Sequence, residues 1–189
     1  CPMPDSGVRM MRIAVLGVGS VGGVLVGALA DTEVGLLCVS RGGTASSLRV
    51  GLVVHTPEGA IEMVSPDRYD VLDSEEGPVP DAHVGTCDVA IIAGKAATTP
   101  ILASLAEEVL SPSGLAISIQ NGLGHAETLA HRIGRKRVLG GSTTHSAWKD
   151  GGGSVHWSGR GVVELGQLDG SGMVGVSKEL YDALEAAGL

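Results

Sequence analysis

The sequence predicts an α/β fold built on a doubly wound, mainly parallel sheet, and three observations carry that expectation. Apolar runs of strand length alternate with segments of helical period from Arg12 to about Val138. The runs are unbroken rather than alternating in polarity, as suits parallel strands covered on both faces. The first run stops at a glycine-rich turn that leads straight into a helix-forming segment.

In chain order, residues 1–9 hold two prolines, a glycine and no hydrophobic period, and read as a disordered leader. Arg12–Leu16 (RIAVL) is the opening strand, and Ser20–Ala30 is a helix of small residues. Residues 34–39 (VGLLCV) form the second strand. Residues 52–55 and 61–64 flank Thr56-Pro57-Glu58-Gly59-Ala60 and read as a hairpin. The acidic stretch 73–81, with Gly77, Pro78 and Pro80, is a loop. A strand over 87–93, a helix over 101–110 that stops before Ser111-Pro112, and a strand over 115–119 follow. A helix over 126–133 and a strand over 138–144 come next. Residues 154–158 and 162–165 look like a second hairpin. Residues 177–187 form a helix with Leu180 and Leu184 on one face, closed by Gly188.

Composition narrows the class. The 189 residues include 30 glycines, two tryptophans, two tyrosines and no phenylalanine, so the core must be aliphatic. Glycine runs at more than twice the usual ~7% without a G-X-Y period, which excludes collagen. A hydrophobic content of 43% against 18% charged residues is too apolar for a disordered chain. The net charge of −8 argues against nucleic acid or an anionic membrane as a partner. Cys1, Cys38 and Cys87 are odd in number and widely spaced, so neither a disulfide framework nor a zinc site is expected and the compartment reads as cytoplasmic. Arg9 and Arg12 ahead of the charge-poor stretch 13–30, ending Ala28-Leu29-Ala30, imitate a signal peptide. Glycine costs ~1 kcal/mol per helix position, and the several glycines in that stretch argue against a membrane helix.

Those glycines have a better explanation. Gly17-Val18-Gly19-Ser20-Val21-Gly22 is G-x-G-x-x-G between a strand and a helix, the setting of a Rossmann-type dinucleotide turn. Gly17 permits the tight turn, Gly19 lets the backbone approach a pyrophosphate, and Gly22 lets helix and strand pack closely. The helix N-terminus supplies free N–H groups. FAD, NAD, NADP and S-adenosylmethionine all use such a turn. An Asp or Glu about 20 residues on would take a ribose 2′-hydroxyl. The chain instead has Ser40-Arg41, with no carboxylate at that turn. An arginine fork pairs with phosphate, so the expected cofactor is NADP(H), with Arg41 on the 2′-phosphate and Ser40 assisting.

Open α/β sheets bind ligands at the carboxyl ends of their strands. Gly94-Lys95-Ala96, Gln120-Asn121-Gly122 and Thr143-Thr144-His145 lie there. Lys95 is a candidate for a phosphate or a substrate carboxylate. Asn121 is a candidate for a nicotinamide amide or the substrate, although Asn-Gly is equally a turn pair. His145 reads as a proton donor or as a structural hydrogen-bonder. His55, His83, His125, His131 and His156 form no ligand cluster, so no metal is expected.

These pieces in this order resemble the ketopantoate reductase (2-dehydropantoate 2-reductase) family. They are the opening strand with GVGSVGG, Ser40-Arg41, Gly94-Lys95-Ala96, Gln120-Asn121-Gly122-Leu123-Gly124, and residues 140–147 (GGSTTHSA) followed by Asp150-Gly151. The resemblance runs over residues 12–189. It implies reduction of a small-molecule 2-keto acid, ketopantoate, to pantoate with NADPH, in the pantothenate branch leading to coenzyme A. It places pyrophosphate on Gly17, Gly19 and Gly22, the 2′-phosphate on Arg41, and Lys95 and Asn121 near cofactor and substrate. It also implies a catalytic lysine in a W-x-K-x-x-x-N-like segment on a helix after the dinucleotide domain. No such segment occurs here, so the expectation is that the catalytic lysine lies beyond Leu189 and that the family's helical C-terminal domain is absent from these residues. Lys149, read as lying in a glycine-rich loop, and Lys178, on an amphipathic helix, sit in other contexts.

The expected organisation is a leader (1–9), an NADP-binding domain (10–170) and a helix (171–189) leading to the missing domain. The Leu180 and Leu184 face, left uncovered, would favour a homo-oligomer. Two alternatives stay open: a reductase of another 2-keto acid, and a non-catalytic NADP-binding or regulatory module.

Overall fold

The computed structural model describes residues 9–189. The leader expected at residues 1–9 lies outside them, except for Arg9, which pairs with Asp88 at 2.9 Å. The elements are β1 (Arg12–Leu16), α1 (Ser20–Ala30), β2 (Gly35–Ser40), α2 (Gly42–Leu48), β3 (Leu52–His55), β4 (Ile61–Val64), β5 (Asp70–Asp73) and β6 (Cys87–Ile92). They continue with α3 (Thr99–Val109), β7 (Leu110–Ser118), α4 (His125–Ile133), β8 (Val138–Thr143), β9 (Ser146–Lys149), β10 (Val155–Gly159), β11 (Val163–Gln167) and α5 (Val176–Ala186).

Seven strands form the main sheet in the order β11-β8-β7-β6-β1-β2-β5. Every neighbouring pair is parallel except β8 with β11. The chain winds outward from β1 through β2 to β5, then returns to β6 on the other side of β1. The strand order therefore reverses between β1 and β6, the switch point of a doubly wound sheet. Successive β1 residues serve opposite layers. Ile13 and Val15 join the core that holds α1, while Ala14 and Leu16 join Leu102, Ala106 and Leu129 of α3 and α4.

A second sheet, β4-β3-β10-β9, lies on the far side of α1. This explains why α1 is buried almost all round. Gly23 and Gly27, one helical turn apart, face the second sheet: a Cβ on Gly23 would sit 2.6 Å from Val155 Cγ2, and one on Gly27 2.9 Å from Val54 Cγ2. Part of the glycine excess thus brings a sheet close to a helix.

Four expectations change. The hairpin over 154–158 and 162–165 does not form: β10 pairs with β9 and β3 in the second sheet, and β11 with β8 in the main one. The chain crosses between sheets at Gly161, which packs on the Thr144–His145 backbone with no room for a side chain. Thr144 N–H donates to the Val162 carbonyl and Val162 N–H to Thr144 Oγ1, both at 3.0 Å. Second, the structure adds α2 and β5, which the sequence does not announce, because GGTASSL has no apolar period and DVLD is a short strand with charged ends. Third, Lys149 ends β9 rather than lying in a glycine loop. Fourth, Leu180 and Leu184 are not exposed. They are 0% and 3% accessible, with α5 laid against β6 and β7, and the expected reason for self-association disappears.

Candidate functional site

The glycine turn joins β1 to α1 at the switch point. Gly17 has φ +87°, a conformation that L side chains resist, and its N–H donates to the Val39 carbonyl at 2.8 Å. A Cβ there would lie 2.5 Å from Gly94 Cα. At Gly22 a Cβ would meet the Gly17 carbonyl oxygen at 2.6 Å. Gly19 is different: a Cβ would meet nothing within 4 Å, and the residue is exposed. Gly19 is also the N-cap of α1, and no side chain caps that end. Ser20 and Val21, half-buried, form the first turn, which carries no acidic residue. Unspent N–H groups beneath open space are what an anionic pyrophosphate requires, so the residues fit such a group.

Val18 is buried, and its N–H donates to Ser40 Oγ at 3.2 Å. Ser40 is itself buried, so its hydroxyl ties the end of β2 to the turn. Arg41 follows in extended conformation, exposed, and forms no ion pair among the described residues. The expectation that no carboxylate stands at this turn is corrected. β5 pairs with β2 so that Asp73 lies beside Ser40. Asp73 Oδ1 accepts from Gly42 N–H at 3.1 Å and from Glu75 N–H at 3.0 Å. The sequence separation hid these groups.

On the other side of the switch point, Gly94 backs onto Gly17, and Lys95 is exposed at the start of a 3-10 turn, its carbonyl accepting from Thr98 Oγ1 at 2.7 Å. Gln120, to which the sequence assigns no role of its own, joins the strand ends. Its Nε2 donates to the Gly94 carbonyl at 2.7 Å, and its Oε1 accepts from Ser118 Oγ and Thr99 Oγ1, each at 3.0 Å. Its signal in the sequence is a polar residue between an apolar strand and Asn-Gly, within the Gln120-Asn121-Gly122-Leu123-Gly124 segment. Asn121 is exposed, and its carbonyl lies 3.2 Å from His125 Nε2. His125 Nδ1 lies 3.2 Å from Thr99 Oγ1. One polar network, buried at Thr99, Ser118 and Gln120, therefore sets both candidate loops.

His145 stands further along the edge. Its Nδ1 accepts from Gly161 N–H at 3.0 Å, which puts the proton of the neutral ring on Nε2, and Nε2 is buried without a partner. The ring meets Trp157 edge-on at 5.2 Å, and the Arg160 guanidinium lies over Trp157 at 4.2 Å. Burial, helped by Arg160, holds the His145 pKa below its ordinary value. Among the described residues no cluster of His, Cys, Asp and Glu is arranged to hold a metal ion, and no helix is long and apolar enough to cross a membrane.

A doubly wound sheet whose switch point carries this turn defines a dinucleotide-binding domain of the Rossmann type. The comparisons with known proteins take the class further. The family model for ketopantoate reductase PanE/ApbA matches residues 13–170, and the chain belongs to that family. The 2-dehydropantoate 2-reductase of Archaeoglobus fulgidus is 30% identical over 183 residues, covering 96% of this chain and 55% of the relative. That of Halobacterium salinarum is 29% identical over 163 residues, covering 85% and 50%. Among solved structures, the 2-dehydropantoate 2-reductase from Porphyromonas gingivalis has a TM-score of 0.81 at 23% identity, over 96% of this chain and 63% of that one. A D-mandelate dehydrogenase solved with NADH and anilino(oxo)acetate has a TM-score of 0.79 at 22% identity, over 95% and 55%. At these identities the structural likeness shows the fold. The chain spans about half the length of the curated relatives it matches.

Proposed function

We propose that this chain is the NADPH-binding part of a cytoplasmic 2-keto acid reductase, with 2-dehydropantoate as the substrate. The observation that carries the reading is the uncapped N-terminus of α1 beneath the open space at Gly19. Gly17, Val18, Gly19, Ser20, Val21 and Gly22 form the pyrophosphate turn. Arg41, at the end that Ser40 ties to this turn, takes the 2′-phosphate. Lys95 and Asn121, on loops pinned by Gln120, face the nicotinamide and the keto acid. When bound, NADPH supplies a hydride to the keto carbon. The proton for the resulting alkoxide is assigned to a lysine outside these residues. Lys149 ends β9, and Lys178 pairs with Asp182 on α5, so neither stands in the setting the family resemblance implies.

The substrate assignment rests on the curated relatives, which are 2-dehydropantoate 2-reductases. The D-mandelate dehydrogenase neighbour favours a second reading, a reductase of a different 2-keto acid. Fluorescence titration tests the cofactor assignment. The chain should bind NADPH, and Arg41→Asp should weaken that binding about tenfold or more, the loss of a charge-assisted phosphate pair. Equal affinity in the variant overturns the role of Arg41. Ketopantoate-dependent NADPH oxidation by the 189-residue chain would overturn the assignment of the proton donor to a lysine outside it.

A further inference from the structure

The carboxylates that β5 brings to the end of β2 are not equivalent. Asp73 spends Oδ1 on two backbone N–H groups, those of Gly42 and Glu75, and so holds the loop after β5 against the start of α2. Ser74 N–H, donating to the Ser40 carbonyl at 2.8 Å, continues the same attachment. Glu76 pairs bidentately with Arg49, accepting from Nη1 at 2.9 Å and from Nη2 at 2.5 Å. Glu75 lies between them. Its Oε2 would be 3.1 Å from a Cβ built on Gly42, so the carboxylate is parked against the residue that follows Arg41. Gly42 has φ +51° and no side chain to shield that approach. Among the described residues Glu75 is exposed and forms no ion pair.

We propose that Glu75 is a specificity residue of the dinucleotide site: its carboxylate opposes the 2′-phosphate that Arg41 attracts, and so narrows the preference for NADPH over NADH. This rests on the cofactor reading above. A 2′-phosphate held by Arg41 would bring close to two negative charges beside Glu75. NADH, with a neutral 2′-hydroxyl, meets no such repulsion, and a carboxylate is the group that accepts a ribose hydroxyl. The position is exposed, so the effect is modest and screened by salt. Attraction from Arg41 and repulsion from Glu75 act on one phosphate, and the chain binds both nucleotides with only a weak bias.

The test is the ratio of NADH to NADPH dissociation constants, measured by fluorescence titration of the chain at low ionic strength. Glu75→Gln should raise the ratio about fivefold, the effect of removing roughly one unit charge near a solvated phosphate. Glu75→Lys should raise it further, and 0.5 M salt should shrink both changes, a concentration well beyond the ~0.1 M at which screening is already felt. Glu76→Gln removes a neighbouring charge that points at Arg49, and should leave the ratio within about twofold. A ratio unmoved in both Glu75 variants, or moved equally by Glu76→Gln, overturns the proposal while leaving the cofactor reading intact. Binding of neither nucleotide by the unmodified chain overturns both.

Discussion

Gly17 and Gly94 meet backbone to backbone across the switch point, where a single methyl group on Gly17 would lie 2.5 Å from the Gly94 Cα. That contact draws the ends of β1 and β6 together and aims the glycine turn at the crevice. Gly17→Ala would add a Cβ at φ +87° and force the two loops apart. The left-handed conformation costs ~1–2 kcal/mol and the overpacking ~1–3 kcal/mol, so a loss of ~3 kcal/mol is expected. Urea unfolding of the variant measures it.

Gly19→Ala separates binding from folding. The added Cβ meets no protein atom within 4 Å, so urea stability should shift by less than ~1 kcal/mol, as for most surface changes. The same methyl group intrudes where the backbone must approach a pyrophosphate, and NADPH affinity should fall about tenfold or more. Parallel urea and fluorescence titrations check the pair of outcomes. A variant that binds NADPH normally removes Gly19 from the site.

The glycine turn was readable because strand, turn and helix are contiguous, and each glycine answers to a neighbour a few residues away. The carboxylates near Arg41 were not readable: Asp73 reaches Ser40 through strand pairing, and the strand that carries it is four residues with charged ends. Likewise nothing local in Val155–Gly159 or Val163–Gln167 says that they join different sheets, since the choice is made by the close packing of Gly161 on Thr144. The burial of Leu180 and Leu184 was missed for a related reason. An amphipathic face shows in the sequence, but the surface of β6 and β7 that receives it does not.

Gly23 tests the layer between the two sheets. In an isolated helix Gly→Ala gains ~1 kcal/mol. Here the new methyl group would sit 2.6 Å from Val155 Cγ2, and valine has little rotamer freedom with which to yield. The overpacking cost of ~1–3 kcal/mol should exceed the propensity gain, leaving a net loss. A lowered melting temperature is the expected reading. A raised one would mean that the second sheet gives way easily.

Gln120→Leu should damage both crevice loops at once. It leaves the Gly94 carbonyl without its donor and the Ser118 hydroxyl without its acceptor, while Thr99 Oγ1 keeps the Ala96 carbonyl at 2.8 Å. Stranding buried polar groups costs ~1–3 kcal/mol each where relaxation does not repair them, so a destabilisation of ~2 kcal/mol or more is expected. NADPH affinity should fall as well, because Lys95 follows the freed Gly94 carbonyl. Urea unfolding and fluorescence titration give the two readings.

His145 sets a pH dependence whose sign follows from its surroundings. Burial first, and the Arg160 guanidinium second, hold its folded-state pKa below the ordinary 6.5. As the pH falls through 6.5 the unfolded chain therefore takes up the proton before the folded one does. The stability this residue contributes is complete above that pH, is lost as the pH falls towards the folded-state value, and changes no further below it. His145→Gln keeps an acceptor for the Gly161 N–H but does not titrate. Between about pH 7.5 and about pH 5, a window that brackets the ordinary histidine value, the variant should lose less stability than the unmodified chain. Urea unfolding at both pH values measures the difference. Equal losses in the two proteins would mean that His145 takes its proton as readily when folded as when unfolded.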